Sequence, residues 1–502
     1  MKPGFLTVSA AVIKAFNLSS NQLCEVFPAK FTQSTSVVLL NYVVYNFSVE
    51  IAILLHLYQP VTQSEEIFRA VYKTSYLPLL TKIGRLKDFH ISLDLPLSLL
   101  EQMDRYGYQE WISDMKDLVR LGKVELVGSA AYHPLLPKLS KNLIERQIIL
   151  NEYSLGYYLG AHQNLEGESA LMIKNIRGFF PPEMAVNENI VSIVDSLGYS
   201  WMVVDETALP EKFKYEKNSG VYSFKDYQLK LIVRNRAFSN ILSFKRDTDL
   251  TDIREFVDRM SKCENDSFVV VLDGEFLGHH FDQGFLVLER MLSYLRNIRA
   301  DVVTVSDYLE DRSSRYIKSL NASSWGASEE DMAKGDIYPM WDGLENKIHK
   351  FQWGILESLS NLYDHDVAPD SVGIGSYEYP VLPIWDPEGI KSIHNPVLKR
   401  KIAREVLLQK SLHSDQFWWA SRKQLSTGDF LFHPAMVRKG LQLFEHLAEM
   451  YSNKKVQEEV NKNISAIGAL LDDFSSSDKS LLEGSSVDVA SSSNESSANH
   501  KS

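Results

Sequence analysis

The run Ser267-Phe-Val-Val-Val-Leu-Asp273 does most to constrain the fold. Apolar side chains occupy successive positions without polar alternation, and the run then stops at Asp273-Gly274-Glu275. Successive strand side chains point to opposite faces, so a strand of this kind is buried on both, as in a parallel sheet covered by helices. Similar runs recur between about Val49 and Glu310: Val49 to Leu55, Val124 to Gly128, Trp201 to Asp205, Lys230 to Arg236 and Val302 to Ser306, with amphipathic helical stretches between them. Alternation of this type predicts an α/β fold built on a parallel sheet. In parallel α/β barrels, chemistry gathers at the C-terminal ends of the strands.

Two carboxylates are expected there. Met172 to Phe180 reads as a strand ending at Pro181-Pro182, and a helix start follows from Met184, which puts Glu183 at a strand end. Asp273 closes the run described above. Either residue alone reads more readily as a helix cap or turn residue. As a pair they match what glycosidic cleavage requires, one carboxyl to protonate the leaving oxygen and another on the opposite face of the sugar.

Four motifs in order extend this reading. His56-Leu-Tyr-Gln-Pro60 follows the strand Val49 to Leu55, and Gly122-Lys-Val-Glu-Leu-Val-Gly-Ser-Ala-Ala-Tyr-His133-Pro comes next. Gly178-Phe-Phe-Pro-Pro-Glu183 and Asp273-Gly-Glu complete the set. On these motifs the chain resembles glycoside hydrolase family 57, a group of enzymes active on α-glucans. The resemblance implies an α/β fold, an incomplete (β/α)7 parallel barrel with a C-terminal α-helical domain. It also implies a retaining mechanism with Glu183 as nucleophile and Asp273 as general acid/base, acting on an α-glucan oligo- or polysaccharide without a cofactor. His56 and His133 would bond sugar hydroxyls. The chain departs from the family pattern at Tyr58, where a second histidine is usual, and at Phe180, where a tryptophan is usual; both are substrate-shell positions.

The two catalytic roles make opposite demands, so Asp273 is expected to have the raised pKa and Glu183 the lowered one, with Glu275 beside Asp273 as a supporting charge. Asp205 and Arg236 also end strands and are candidates for lining the site, or for helix caps and ion pairs. The stretch His413-Ser-Asp-Gln-Phe-Trp418-Trp419 concentrates stacking surfaces and hydrogen bonders, but adjacent tryptophans cannot share one helix face, so one of them is expected in the core. Zinc-type use of His56, His133, His279 and His280 competes with the sugar reading. The adjacent pair His279-His280 would point apart on a strand, however, and no His-x-x-x-His falls near a strand end, so no metal is expected. A metal-dependent deacetylase and a non-catalytic glucan-binding relative remain alternatives.

At 502 residues the chain is long enough for a barrel and a second domain. The expected organisation is an N-terminal extension over 1–47, a catalytic domain over 48–310, a linker over 311–335, a helical domain over 336–472 and a disordered Ser-rich tail over 473–502. A net charge of −12 argues against nucleic acid and anionic membrane as partners. Two cysteines, Cys24 and Cys263, imply no disulfide framework and a reducing, cytoplasmic setting. The N-terminus imitates a signal peptide, but Lys14 interrupts its apolar core; in Val37 to Leu57, Glu50 stands against a membrane span. The sequence leaves the oligomeric state open.

Overall fold

The computed structural model describes residues 50–477 apart from 88, 161–175, 215–219, 246, 261–268, 311, 367–393 and 424–431. The expected extension over 1–47, both cysteines and residues 478–502 of the expected tail lie outside the described residues.

The strands are β1 Glu50–His56, β2 Ile91–Asp94, β3 Val124–Gly128, β4 Gly178–Phe179, β5 Trp201–Val204, β6 Val221–Phe224, β7 Lys230–Val233, β8 Val269–Asp273, β9 Asp301–Val303 and β10 Arg315–Ile317. They form one sheet, with a parallel succession β7-β5-β4-β3-β2-β1-β8 at its heart. β9 runs parallel to the first half of β1, β6 lies antiparallel to β7, and β10 pairs with β6 in parallel. The apolar runs lie where double-sided burial requires them: Ile51 to Leu55, Trp201 to Val204 and Val269 to Leu272 are all buried.

The barrel is incomplete because, among the described residues, β7 and β8 do not form a ladder. Their seam is bridged by other groups. Asn235 donates its N–H to the Val269 carbonyl at 2.7 Å, Val271 donates its N–H to Ser239 Oγ at 3.1 Å, and Arg234 Nη1 donates to the Val271 carbonyl at 3.3 Å. Helix Arg236–Ser243, capped by the Asn235 side chain, follows directly and keeps Phe238 and Leu242 buried.

Three expectations need correction. Among the described residues, the strand read over Met172 to Phe180 is only Gly178–Phe179, which stops just before Pro181 and Pro182, residues that cannot donate to a ladder; Met172 to Asn175 lie outside the described residues. The stretch read as a linker is part of the fold: Arg315–Ile317 extends the sheet, Ser323 bridges to Val186, and Glu329–Ala333 is a helix with a Ser328–Asp331 capping box. Its polar side chains serve as local caps while Ile317, Leu320 and Ala327 are buried, which is why its composition imitates a linker. Asp473–Ser477, placed in the tail, continue helix Lys454–Ser477.

Helices Lys347–Asp366, Pro396–Ser411, Asp415–Trp418, Pro434–Met450 and Lys454–Ser477 form a second apolar core that includes Ile355, Leu359, Phe417, Trp419, Phe444 and Ile467. That core also takes in Leu135, Leu143 and Ala185 from the sheet-bearing part, so the helices pack directly on the loops after β3 and β4. No described helix is long and apolar enough to cross a membrane.

Candidate active site

Strand register sets the first contacts. β1 pairs with β2 and β8 so that His56 lies beside both Asp94 and Asp273, all at the C-terminal strand ends. His56 Nδ1 is 2.7 Å from Asp94 Oδ2, and both side chains are buried. Burial works against the imidazolium, but the bond and charge of Asp94, with Asp273 and Glu275 behind it, hold the His56 pKa up at about 9. Its ring stacks on Phe180 at 4.8 Å and on His133 at 4.6 Å, and Tyr58 stacks on the same His133 at 4.2 Å. These four rings make a floor at the mouth of the barrel. The two residues that depart from the family pattern are both part of it.

Glu183 stands on this floor with unusual backbone geometry. It sits in a short turn, Pro182–Met184, at φ 59° and ψ 15°, and His133 also has a positive φ of 55°. Left-handed backbone at a non-glycine residue costs on the order of 1 kcal/mol and persists only where the surroundings over-determine it. Here they do. Trp325 donates its backbone N–H to the Glu183 carbonyl at 3.2 Å and its indole N–H to Glu183 Oε2 at 2.9 Å. Ser414 Oγ is 2.7 Å from Glu183 Oε1 and 2.9 Å from His133 Nδ1, while the Ser414 N–H is donated to the His133 carbonyl at 2.9 Å.

Burial pushes the His133 pKa well below the ordinary histidine value, and the charges of His56 and His413 act in the same direction. A neutral His133 with its proton on Nδ1 donates to Ser414, whose hydroxyl then donates to Glu183; this network assigns the tautomer. Both Glu183 oxygens therefore accept hydrogen bonds, as an orienting site for a carboxylate requires. Burial nevertheless raises the Glu183 pKa to about 8, with the charge of Asp415 adding to the rise and Ser414, Trp325 and His56 opposing it. This reverses the expected lowering. The reason is burial, with Trp325 and Ser414 closed on its two oxygens and Asp415 as a second acid acting on it.

Asp273, the last residue of β8, is exposed at the same mouth. Glu275 is turned inward. It accepts the Tyr58 N–H at 3.2 Å and the Tyr76 hydroxyl, while Ser75 Oγ donates to the Gly274 carbonyl at 3.1 Å. Burial, then the charge of Asp273, pushes the Glu275 pKa up to about 7. Its visible role is to lock the Asp-Gly-Glu turn against the Tyr58 backbone.

The remaining candidates divide. Asp205 is fully buried, caps the turn at Thr207, and pairs with Arg234 Nε at 2.7 Å and Arg236 Nη1 at 2.8 Å, so it is closed to a sugar. Arg236 in turn donates to the carbonyls of Trp325 and Ala327, at 3.3 and 2.9 Å. Trp419 belongs to the helical core and Trp418 packs half-buried against it. His413 is fully buried near Trp419, its ring nitrogens make no hydrogen bond among the described residues, and burial lowers its pKa to about 3. His279 Nδ1 lies 3.5 Å from Thr74 Oγ1, and among the described residues no group of three His, Cys, Asp or Glu is arranged to hold a metal ion.

Four residues at the site are not among those singled out from the sequence: Asp94, Trp325, Ser414 and Asp415. Asp415 lies where its charge acts on Tyr58 and Glu183, and burial raises its own pKa to about 6. Asp94 ends a strand as Asp273 does, and that alone could have pointed to it. Ser414 and Asp415 lie inside the His413-to-Trp419 stretch, where the aromatic residues drew the reading.

Comparisons with known proteins bear on the family and the fold. The family model for glycosyl hydrolase family 57 matches residues 38–321, more than half of the chain. A Methanocaldococcus jannaschii relative provisionally named an α-amylase is 22% identical over 313 residues, 59% of this chain and 62% of the relative. α-Amylase 1 of Dictyoglomus thermophilum is 23% identical over 36% of this chain and 24% of its own length. The chain thus spans less than two thirds of the curated relatives it matches. Among solved structures, a family 57 branching enzyme from Thermococcus kodakaraensis superposes with a TM-score of 0.54 at 17% identity, covering 83% of this chain and 94% of that one. The 4-α-glucanotransferase of Thermococcus litoralis gives 0.53 at 15% identity, covering 80% and 58%. At such identities the structural likeness speaks for the fold alone, an incomplete (β/α)7 barrel with a helical domain, whereas the family match rests on the sequence itself. The chain belongs to glycosyl hydrolase family 57.

Proposed function

We propose that this chain is a retaining glycoside hydrolase or glucanotransferase acting on α-glucans, with Glu183 as nucleophile and Asp273 as general acid/base. The observation that carries the reading is the contrast between two carboxyls at one barrel mouth. Glu183 is immobilised by donors on both oxygens, and Asp273 is exposed at the strand end beside His56. A nucleophile needs a fixed line of attack on the anomeric carbon, and an acid/base must reach first the leaving oxygen and then the incoming water or sugar hydroxyl. His56, held as a cation by Asp94, would donate to a sugar hydroxyl and favour charge on Glu183. The names of the similar proteins, amylase, branching enzyme and 4-α-glucanotransferase, support α-glucan as the substrate class.

The strand-bearing region would hold both catalytic groups while the helical region completes the site through Ser414 and Asp415. The two-cysteine composition supports a reducing, cytoplasmic setting. Incubating the purified protein with maltooligosaccharides and amylose, then reading chain lengths and linkages, tests the reading. New short chains mean hydrolysis, lengthened chains mean transfer and new branch linkages mean branching. Unchanged substrates under all conditions would favour a non-catalytic glucan-binding protein.

A further inference from the structure

Trp325 comes from a stretch that reads as a linker, yet its contacts converge on Glu183. Its indole Nε1–H, a group that can only donate, is 2.9 Å from Glu183 Oε2, and its backbone N–H is 3.2 Å from the Glu183 carbonyl. The ring meets Phe180 edge-on at 5.8 Å and His56 at 6.3 Å, and the Arg234 guanidinium lies 5.6 Å over it. Arg236 fixes the same loop through the Trp325 and Ala327 carbonyls, and both arginines are anchored on the buried Asp205. Thus two strand ends, β5 and β7, spend a buried ion-pair cluster on holding one loop. That loop delivers two hydrogen bonds to one residue.

We propose that Trp325 is a positioning residue for Glu183, its indole N–H orienting and stabilising the nucleophilic carboxylate, and that the Asp205–Arg234–Arg236 cluster exists to hold that indole in place. The inference rests on the assignment of Glu183 as nucleophile. On the structure, a bound sugar is not needed for the contact; the donor is engaged with the enzyme's own carboxylate.

The test uses the full chain with Trp325→Phe, which keeps an aromatic ring and removes the N–H, assayed on maltooligosaccharides beside Glu183→Gln. The expected result is a kcat lower by roughly ten- to a hundredfold, the effect of one donor to a charged group, with KM little changed. The acidic limb of the pH–rate profile should move to higher pH, because the ionised form of Glu183 has lost a donor. In the Glu183→Gln background, Trp325→Phe should leave glucan affinity unchanged within about twofold, since no sugar contact is removed. Arg236→Gln, which frees the loop without touching the ring, should shift the acidic limb in the same direction. A rise in KM with an unmoved acidic limb, or loss of glucan affinity in the Glu183→Gln background, would overturn the inference in favour of a sugar-stacking or purely structural tryptophan. Near wild-type activity of Glu183→Gln is the separate outcome that removes the nucleophile assignment itself.

Discussion

Ser414→Ala probes the join between the barrel and the helical region at its narrowest point. One hydroxyl joins His133 Nδ1 at 2.9 Å to Glu183 Oε1 at 2.7 Å, and it comes from the segment between helices Pro396–Ser411 and Asp415–Trp418. The substitution removes one oxygen and leaves the backbone bond from Ser414 to the His133 carbonyl in place, so the fold should survive. A hydrogen bond to a charged group contributes about 1.5–3 kcal/mol, and a buried donor left unpaired, here the Nδ1–H of His133, costs about 1–3 kcal/mol. The expected stability loss is therefore about 2.5–6 kcal/mol by denaturant unfolding, the range of a broken buried network. In catalysis, only the bond that favours the ionised Glu183 counts, so kcat/KM should fall roughly tenfold to a hundredfold. The sign on pH follows from the same bond. Ser414 lowers the Glu183 pKa, so its loss moves the acidic limb of kcat/KM to higher pH. Ser414→Thr, which restores a hydroxyl, should recover most of the activity. If Ser414→Ala keeps wild-type activity and an unmoved acidic limb, the proposed chain from His133 to Glu183 does not act on the reaction.

Two further predictions concern buried and exposed acids. Glu152 is buried in helix Lys141–Leu159 with the Tyr199 hydroxyl as its bond partner, and burial raises its pKa to about 8. A folded pKa above the unfolded value contributes stability below the unfolded pKa that is lost as pH rises through the folded one. Stability should thus decline between about pH 4.5 and pH 8, and Glu152→Gln should flatten that decline in a Tm-versus-pH series; an equally steep fall in the variant would refute it. Asp273→Asn should lose far more activity on maltooligosaccharides than on an α-glucoside with an acidic phenol, since a good leaving group needs little protonation. Equal losses on both substrates would remove Asp273 as the acid.

How far the sequence anticipates the site depends on what each residue's signal is made of. Uninterrupted apolar runs such as Val269 to Leu272 carry their own evidence of double-sided burial, so the parallel sheet and the strand-end positions of His56 and Asp273 were readable from local pattern. Residues that reach the site from distant segments carry none. Trp325 sits in a polar stretch whose caps and turns imitate a linker, and it meets Glu183 from 142 positions away. Ser414 does so from 231 positions away. The pKa expectation for Glu183 failed for the same reason: the burial that raises it, with Trp325 and Ser414 on its oxygens, and the charge of Asp415 that adds to it come from residues distant in sequence. The fates of Asp205 and Arg236 show the converse. Both were legible as charged strand ends, but only the three-dimensional pairing with Arg234 tells a buried ion-pair anchor from a sugar contact.

The central claim is that Glu183 attacks the anomeric carbon, and nucleophile replacement tests it most directly. Glu183→Gly should be folded and almost inactive on an α-glucoside with a good leaving group, and the space left by the carboxylate should admit azide. Added azide should restore turnover and give a β-glycosyl azide, inverted relative to the substrate, because it attacks from the face Glu183 occupied. An α-glycosyl azide, or substantial activity without azide, would contradict the account.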